Sequence, residues 1–445
     1  MIGMQNQAII DSHQNSIIDY LHTHYYPLQT KVDLDDLIDQ IGESKIVMMG
    51  EASHGTHEYY TWRAMLSQRL IKEKGFNFIA VEGDWPDCYK LNRYIKNYKE
   101  AGTSAFDVVH TFNRWPTWMW ANWEMVAMAE WLCDYNLALA NNKKAGFYGL
   151  DVYSLMESLE AIIEYLNKVD PEALRVAEKA YQCFQPYQRD EGTGYAYSSL
   201  MVPAQCTSEV TNLLVEIKKR TPQYNSDIEN VFNNEQNAIV AFNAEKYYRT
   251  ILGGGSKSWN IRDSHMMETL ERLLNFHGKN SKAIVWAHNT HIGDARATDM
   301  RLEGMHNIGE YARKIYGNKN VFLIGFGSYS GNVLASLRWG ESPQSMKMPL
   351  ARTNSWEHML AQADIQNGYL LLNDTNAQQL LGEKIDHRAI GVVYLPQEEK
   401  YGNYVPSILP SRYDAFVFFK LTKALHAIHV IPDGQQMPET YPFGV

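Results

Sequence analysis

A series of short segments, each the length of a strand and apolar at nearly every position, limits the folds that this chain can adopt. The segments are 45–49, 76–81, 146–150, 282–287, 321–326, 369–372, 389–394 and 415–419. Strands that helices cover on both faces have this composition, which is typical of parallel sheets. Helical periodicity occupies most of the chain between them. The pattern predicts an α/β fold with a mostly parallel central sheet flanked by helices.

Helix signals are clearest around the first predicted strand. Residues 9–41 carry apolar positions at helical spacing with a break at Pro27, and 58–74 reads as a helix that Gly75 ends. With segments 45–49 and 76–81 on either side, the helix over 58–74 completes a βαβ unit, whose two strands are expected to be parallel.

One long stretch interrupts the series of strands. From 153 to 274 the periodicity is almost wholly helical, apart from a polar, tyrosine-bearing interruption over 185–203. The glycine run at 253–255 is too flexible for a helix interior and marks the return to the core. We predict a single domain over 1–445, with 1–152 and 281–445 as the α/β core and 153–280 as a mainly helical lobe over the cleft.

Charge and hydropathy exclude two classes of partner. The net charge is −10 and the longest basic block is Lys218–Arg220, so the chain lacks the electrostatic footprint of a nucleic-acid-binding protein. No apolar run reaches transmembrane length, and the N-terminal residues do not resemble a secretory signal. We therefore expect a soluble, cytoplasmic protein that acts on a small molecule.

The cysteines give a further expectation. They are Cys88, Cys133, Cys183 and Cys206, scattered without a Cys-x-x-Cys pair. This spacing argues against a disulfide scaffold and against thiolate zinc sites, so buried free thiols are predicted.

Polar side chains follow four of the predicted strands at the point where each strand ends. They are Glu51 and His54 after the first strand, Glu82 and Asp84 after the second, Asp151 after the third, and His288 and His291 after a later one. Because the carboxyl ends of parallel strands lie on one edge of a sheet, these residues are predicted to converge in one cleft. Four such coincidences favour an active site over chance.

Structural roles compete with catalytic ones at several of these positions. His54 can be a satisfied core histidine, Asp84 a turn residue, and Asp151 a cap for the following helix. His57 is better suited to flanking the next helix, and Glu58 to favouring its dipole.

Three kinds of function fit the predicted cluster. His54, oriented by a carboxylate, can remove a proton from water while a second group stabilises the oxyanion. Two histidines with a glutamate can instead hold zinc or iron, and His288 and His291 have ligand spacing. A non-catalytic binding protein for an acyl or glycosyl compound is the third. No Gly-x-Ser-x-Gly elbow occurs, so direct attack by water is favoured over an acyl-serine.

Three separated motifs resemble those of the erythromycin esterase family, some of whose members are labelled succinoglycan biosynthesis proteins. The motifs are Gly50–Glu58, Val81–Trp85 and Trp286–His291, in the family's order. The likeness extends to Gly149-Leu150-Asp151, Arg262-Asp263 and Tyr413–Phe416. It therefore runs through most of the chain.

The resemblance implies an α/β core with helical lobes around a deep cleft, and hydrolysis of an ester or macrolide lactone with no metal or cofactor. It assigns His54 as the general base and Glu51 as its supporting carboxylate. Arg63 is similar to the family's active-site arginine and Glu82 to its second acid. His288 is the group expected to polarise the carbonyl or protonate the leaving alkoxide. Inactivation of macrolide antibiotics is the corresponding expected role.

The expected substrate contacts come from the same motifs and from the aromatic segment 115–123. They are His291, Asp84, Asp151, Trp115 and Trp118. The loop over 185–203 is expected to wall the cleft with them. Tryptophans at helix-like spacing are also typical of a core, which remains the alternative for this segment.

Overall fold

The computed structural model describes residues 2–190, 193–201, 206–224 and 227–429. The strands in these ranges are β1 (Tyr25–Pro27), β2 (Ile46–Met49), β3 (Phe78–Asp84), β4 (Gly146–Asp151), β5 (Ala283–Trp286), β6 (Val321–Ala335), β7 (Gln344–Met348), β8 (Asn367–Leu371), β9 (Lys384–Ile385), β10 (Ser407–Ile408) and β11 (Ala415–Thr422).

The α-helices are α1 (Ile2–His24), α2 (Asp35–Ile41), α3 (His57–Lys74), α4 (Trp85–Ile95), α5 (Ala105–His110), α6 (Trp123–Leu137), α7 (Leu155–Val169), α8 (Pro171–Phe184), α9 (Thr193–Met201), α10 (Thr207–Arg220), α11 (Ile228–Ile251), α12 (Ser256–His277), α13 (Asn289–Ile292), α14 (Ile308–Tyr316), α15 (Trp356–Gln362), α16 (Thr375–Leu380), α17 (Glu399–Gly402) and α18 (Leu409–Arg412).

The central sheet is mostly parallel, as predicted. Its order is β1-β8-β11-β6-β2-β5-β3-β4, and β7 pairs with the distal part of β6. The six strands from β11 to β4 run parallel. Strands β8, β1 and β7 are added antiparallel. The carboxyl ends of the six parallel strands therefore lie along one edge.

Helices cover both faces of the sheet, which explains why central strands such as β2 and β5 are apolar at every position. In β2, Val47 and Met49 belong to one buried cluster, and Ile46 and Met48 belong to another. The first cluster includes residues of α3 and α6, and the second includes residues of α1 and α12. Successive side chains of a strand point to opposite faces, so each face of β2 contributes to a different core layer.

The predicted βαβ unit is present as β2, α3 and β3. Helix α3 ends at Gly75, which adopts a left-handed conformation with φ of 69° while its amide N–H donates to the Leu70 carbonyl. This is the conformation for which glycine is favoured at a helix end. The break at Pro27 also agrees with the structure, because Pro27 ends the short edge strand β1 after α1.

Residues between β4 and β5 form helices α7 to α12 and have a buried cluster of their own, which includes Leu159, Ala177, Leu213 and Ala241. The division of one domain into a core and a lobe over 153–280 stays a prediction.

The expectation that the chain would have no disulfide was wrong, because Cys183 and Cys206 form one, 23 positions apart. Cys88 and Cys133 are free. Disulfides are rare in reducing compartments, so the cytoplasmic location stays a prediction. Across the described ranges, no helix is both long enough and apolar enough to cross a membrane.

The strand predicted over 389–394 was also wrong. This segment forms only isolated bridges, from Ile390 to Ser53 and from Val393 to Ser336. Its apolar side chains pack with the distal part of β6 and with β7, where Ile390 and Tyr394 are buried. The segment thus runs past the turn that follows β2, at the carboxyl edge of the sheet.

Candidate active site

The turn after β2 is held against its neighbours so closely that two of its positions must be glycine. A Cβ atom at Gly50 would lie 1.9 Å from Asn289 Oδ1, and one at Gly55 would lie 1.8 Å from the Leu334 carbonyl oxygen. The Glu51 backbone carbonyl also accepts a hydrogen bond from the Asn289 backbone N–H, at 2.9 Å. These contacts fix the backbone that carries Glu51 and His54.

Glu51 joins His54 to Arg63. One carboxylate oxygen lies 2.9 Å from His54 Nδ1, and the other accepts from Arg63 Nη2 at 2.7 Å. Because a carboxylate only accepts, His54 carries its proton on Nδ1, which leaves the lone pair on Nε2. His54 lines a cavity of about 220 Å³. This arrangement suits a general base.

Arg63 lies behind Glu51 and does not contact the cavity. Its side chain is fully buried, and its guanidinium lies over the rings of Tyr60 and Trp286 at 4.5 and 5.0 Å. Its Nε and Nη1 atoms have no hydrogen-bond partner among the described residues. Arg63 is therefore placed to hold the Glu51 carboxylate and not to touch a substrate.

Glu82, on β3, joins the end of β5 to the helical segment. Its Oε2 accepts from the His288 amide at 2.8 Å, and its Oε1 accepts from Arg262 Nη2 at 2.6 Å. Burial alone would raise the pKa of Glu82, but the neighbouring His291 and Arg262 outweigh it and hold the pKa well below its usual range. Glu82 is thus a buried, ionised carboxylate.

Arg262, on α12, is the site residue to which the sequence assigned no role. Its Nε and Nη2 atoms donate to the two oxygens of Asp151 at 2.9 and 2.6 Å, and Nη2 also donates to Glu82. The guanidinium lies 4.8 Å from the centre of the Tyr153 ring. Asp151, Arg262 and Tyr153 all line the cavity. The only sequence signal for Arg262 was its place in the Arg262-Asp263 match.

His288 lies beside His54, with 4.9 Å between the ring centres. Its Nδ1 lies 2.8 Å from the Thr290 hydroxyl and accepts from the Thr290 backbone N–H at 3.3 Å, and its Nε2 is buried without a partner among the described residues. Burial and the adjacent His54 hold the pKa of His288 well below its usual range, so the ring is neutral. His288 is not among the residues that line the cavity.

His291 is buried between the carboxylates of Asp263 and Glu82. Its Nδ1 lies 2.9 Å from an oxygen of Asp263, and its Nε2 lies 3.3 Å from Glu82. Burial opposes protonation, but these carboxylates raise the pKa of His291 to about 9. Arg262 Nη1 is 3.0 Å from the same Nε2, a contact that is a hydrogen bond only for the neutral ring. His291 does not line the cavity, and its expected contact with a substrate stays a prediction.

The two tryptophans predicted to contact substrate differ. Trp115 lines the cavity and packs against Trp339, with 4.3 Å between ring centres. Trp118 is fully buried, packs edge-on against Trp115 and does not line the cavity. Trp118 therefore belongs to the core, which was the alternative for this segment.

Asp84 lines the cavity at the end of β3. One of its oxygens lies 3.3 Å from Arg114 Nη1, while Oδ1 is buried without a partner among the described residues. Burial raises the pKa of Asp84 to about 7 although Arg114 opposes this.

Glu51, His54 and Glu82 also meet the spacing requirement of a metal site, since one ligand atom from each lies within 4.8 Å of the others. Both oxygens of each glutamate already accept hydrogen bonds from His54, Arg63, Arg262 or the His288 amide. A metal there would replace some of these bonds.

A histidine that lines a cleft while a carboxylate holds its Nδ1 can act as a general base. The chain belongs to the erythromycin esterase family, whose sequence profile matches residues 71–422. Membership supports an esterase or hydrolase activity. Glu51, His54 and Arg63 precede the matched residues, so their roles depend on the geometry above.

Two relatives have nearly the same sequence identity to this chain. Erythromycin esterase type II of Escherichia coli is 22% identical over 368 residues, which cover 77% of this chain and 84% of the relative. A putative hydrolase of Bacillus subtilis, YbfO, is 23% identical over 345 residues, covering 71% and 73%.

Solved structures support the same fold. A Bacillus cereus protein superposes with a TM-score of 0.77 at 20% identity, covering 93% of this chain and 99% of its own. A protein described as a succinoglycan biosynthesis protein gives 0.75 at 20% identity, with coverage of 93% and 98%. A histidine-to-asparagine variant of erythromycin esterase EreC in an open conformation gives 0.66 at 16% identity, with coverage of 91% and 97%.

Proposed function

We propose that this chain is a carboxylic ester hydrolase in which His54 activates water for direct attack on the ester carbonyl. The observation that carries the proposal is the His54 ring itself, which lines the cleft while Glu51 occupies its Nδ1. A base held in this tautomer directs its lone pair away from the carboxylate. Glu51 also stabilises the imidazolium that forms during the reaction.

The proton and the electrons balance over two steps. His54 Nε2 takes a proton from water as the hydroxide oxygen bonds to the carbonyl carbon, giving a tetrahedral oxyanion. The bond from that carbon to the ester oxygen then breaks, and the His54 imidazolium gives its proton to the leaving alkoxide. The products are a carboxylic acid and an alcohol.

His288 supplies the donor for the oxyanion in this proposal. Its Nδ1 accepts from the Thr290 backbone N–H and lies 2.8 Å from the Thr290 hydroxyl; with that hydroxyl as the donor, Nε2 carries the ring proton, and this N–H has no partner among the described residues. An unpaired buried donor 4.9 Å, ring centre to ring centre, from the base is placed to bind developing charge. Because His288 does not line the cleft and its Nε2 is buried, a substrate carbonyl reaches this N–H only after the two rings move apart.

The environment of Ser53, the serine next to His54 in the sequence, favours direct attack by water over a serine nucleophile. Ser53 is buried, and its Oγ contacts the Thr56 hydroxyl instead of His54. A nucleophilic serine must hydrogen-bond to its general base. If an acyl-enzyme formed, added hydroxylamine would intercept it as a hydroxamate. We expect carboxylate as the only product, and enzyme-dependent hydroxamate would contradict direct attack.

The size and walls of the cleft favour a small ester with an apolar or aromatic group. Its volume of about 220 Å³ is below the range of roughly 300–1,000 Å³ typical of sites for drug-sized ligands. Trp115, Trp120 and Trp339 contribute to the walls. A macrolide would require the cleft to open, and the EreC variant is described in an open conformation.

A hydrolysis screen tests the proposal. Small aryl and alkyl esters are offered beside macrolide lactones, and products are identified by mass spectrometry. We expect turnover of small esters, and turnover of macrolides would extend the proposed role to antibiotic inactivation. Failure to hydrolyse any ester would favour a binding protein.

Metal-dependent hydrolysis is the second candidate, because Glu51, His54 and Glu82 converge within ligand distance. It predicts that a chelator abolishes turnover and that a divalent ion restores it. Under the first proposal, turnover per folded molecule is unchanged by chelation.

A further inference from the structure

A second cluster of ligand-type side chains lies outside the candidate active site. His57 is the first residue of α3, Glu124 lies in the first turn of α6, and His426 lies in the segment that follows β11. One potential ligand atom from each lies within 4.8 Å of the others. None of the three lines the candidate active-site cleft.

Hydrogen bonds within the described residues use only one of the two Glu124 carboxylate oxygens. His57 Nδ1 and His426 Nδ1 both lie on the same oxygen, Oε1, at 2.6 and 2.7 Å, and the His426 backbone N–H donates to it at 3.4 Å. The other oxygen, Oε2, is buried without a partner among the described residues, and Glu124 is only 1% exposed. An orphaned carboxylate oxygen beside two converging imidazoles points to a group that all three side chains share.

We propose that His57, Glu124 and His426 bind a divalent transition-metal ion, with Zn²⁺ as the reference case. Two imidazoles and one carboxylate are a common protein donor set for zinc, with bonds of about 2.0–2.2 Å. In a tetrahedral site such bonds separate the ligand atoms by about 3.3 Å. The two Nδ1 to Oε1 distances would therefore lengthen by roughly 0.6 Å, which small side-chain rotations provide.

Access and charge both suit this assignment. The His426 side chain is 39% exposed and that of His57 is 14% exposed, so an ion and a water ligand can enter from that side. The N-termini of α3 and α6 carry partial positive charge, which disfavours a cation. The buried Glu124 carboxylate has to offset this charge, so it is the ligand on which binding should depend most.

The ion would tie the segment after β11 to the catalytic turn. Backbone hydrogen bonds already join the His57 amide to the Lys423 carbonyl, the Trp123 amide to the His426 carbonyl, and the Leu425 amide to the Gly55 carbonyl, at 2.9–3.0 Å. An ion that binds the folded chain alone stabilises it by mass action. The expected result is binding that saturates at one ion per chain, with a Tm that rises as the free Zn²⁺ concentration rises.

The test uses untagged, EDTA-treated full-length protein titrated with Zn²⁺ by calorimetry, with bound metal counted by elemental analysis. We expect one tightly bound ion and a higher Tm. Since changes even around a ligand cost about 10–100-fold in affinity, Glu124→Gln and His426→Asn should each weaken binding by roughly 100-fold or more. His426 is partly exposed, so His426→Asn keeps the test valid if Glu124→Gln fails to fold.

His54→Asn is the matched control, because it removes a histidine from the other cluster. It should retain the bound ion and the Zn²⁺-dependent rise in Tm. Loss of the ion in His54→Asn with retention in Glu124→Gln would move the metal to the candidate active site and overturn the proposal. Absence of stoichiometric binding by the wild-type protein would also overturn it.

Discussion

Replacing Glu51 by glutamine tests how His54 is held ready. The wild-type carboxylate accepts from His54 Nδ1 and Arg63 Nη2. An amide has one acceptor oxygen and one NH₂ group, so it can accept from only one of them. Arg63 is fully buried and has no other hydrogen-bond partner for Nε or Nη1 among the described residues. The amide oxygen should therefore face Arg63, and the NH₂ group should face His54.

An NH₂ group facing Nδ1 favours the wrong tautomer, in which Nε2 carries the proton and cannot act as a base. The same change of tautomer lowers kcat about 10⁴-fold in a serine protease triad, which corresponds to about 5.5 kcal/mol. We expect Glu51→Gln to lower kcat for a small ester by about 10³–10⁴-fold. Initial rates measured on protein with an unchanged circular dichroism spectrum provide the assay.

A second substitution separates tautomer control from simple loss of charge. In the double variant Glu51→Gln with Arg63→Met, the amide oxygen is free to face His54 and restore the productive tautomer. We expect it to recover at least tenfold of the lost kcat. A loss of less than tenfold in the single variant, or a double variant no faster than the single one, would refute the role given to Glu51.

Three further predictions concern the cleft. Arg262→Met should lower Tm and turnover together, because it removes the guanidinium that bridges the buried Glu82 and Asp151 carboxylates. Breaking such pairs costs about 3–5 kcal/mol in unfolding free energy, and an unchanged Tm would contradict this prediction. Because folding raises the pKa of Asp84 to about 7, the folded chain keeps this proton to a higher pH than the unfolded chain does. The free energy of unfolding therefore falls as pH rises from about 4 to 7, by up to about 4 kcal/mol. Chemical denaturation should therefore show Asp84→Asn gaining stability over the wild type across that range, and parallel pH profiles would contradict it. Trp118→Ala should lower the free energy of unfolding by about 3–5 kcal/mol. Trp115→Ala should mainly raise KM for aryl esters. The reverse pattern would place Trp115 in the core and Trp118 in the wall of the cleft.

The sheet was predictable because strands that are buried on both faces are apolar at successive positions, and the sequence shows such runs. The runs at 46–49 and 283–286 are apolar at every position and lie in the parallel sheet. The run at 389–394 has the same appearance, but its side chains are buried by β6 and β7 at the edge of the sheet. An apolar run indicates that its side chains are buried, but it does not indicate which strand, if any, pairs with its backbone.

The acidic and imidazole groups at strand ends were found for the same reason, since topology alone places them on one edge. Arg262 was not assigned a role because it lies within a helix, 111 positions from Asp151, and no local pattern connects them. The Cys183–Cys206 disulfide likewise joins positions with no motif between them. Charge pairing and cross-linking over long separations depend on the tertiary fold.

Replacement of His54 by asparagine tests whether His54 is the general base. The matched control is His24→Asn, an exposed histidine on α1. We expect His54→Asn to lower kcat at least 100-fold, the contribution typical of general-base catalysis, with Tm and circular dichroism unchanged, and His24→Asn to match the wild type. A loss of only a few-fold in folded His54→Asn would contradict the assignment of His54 as the base.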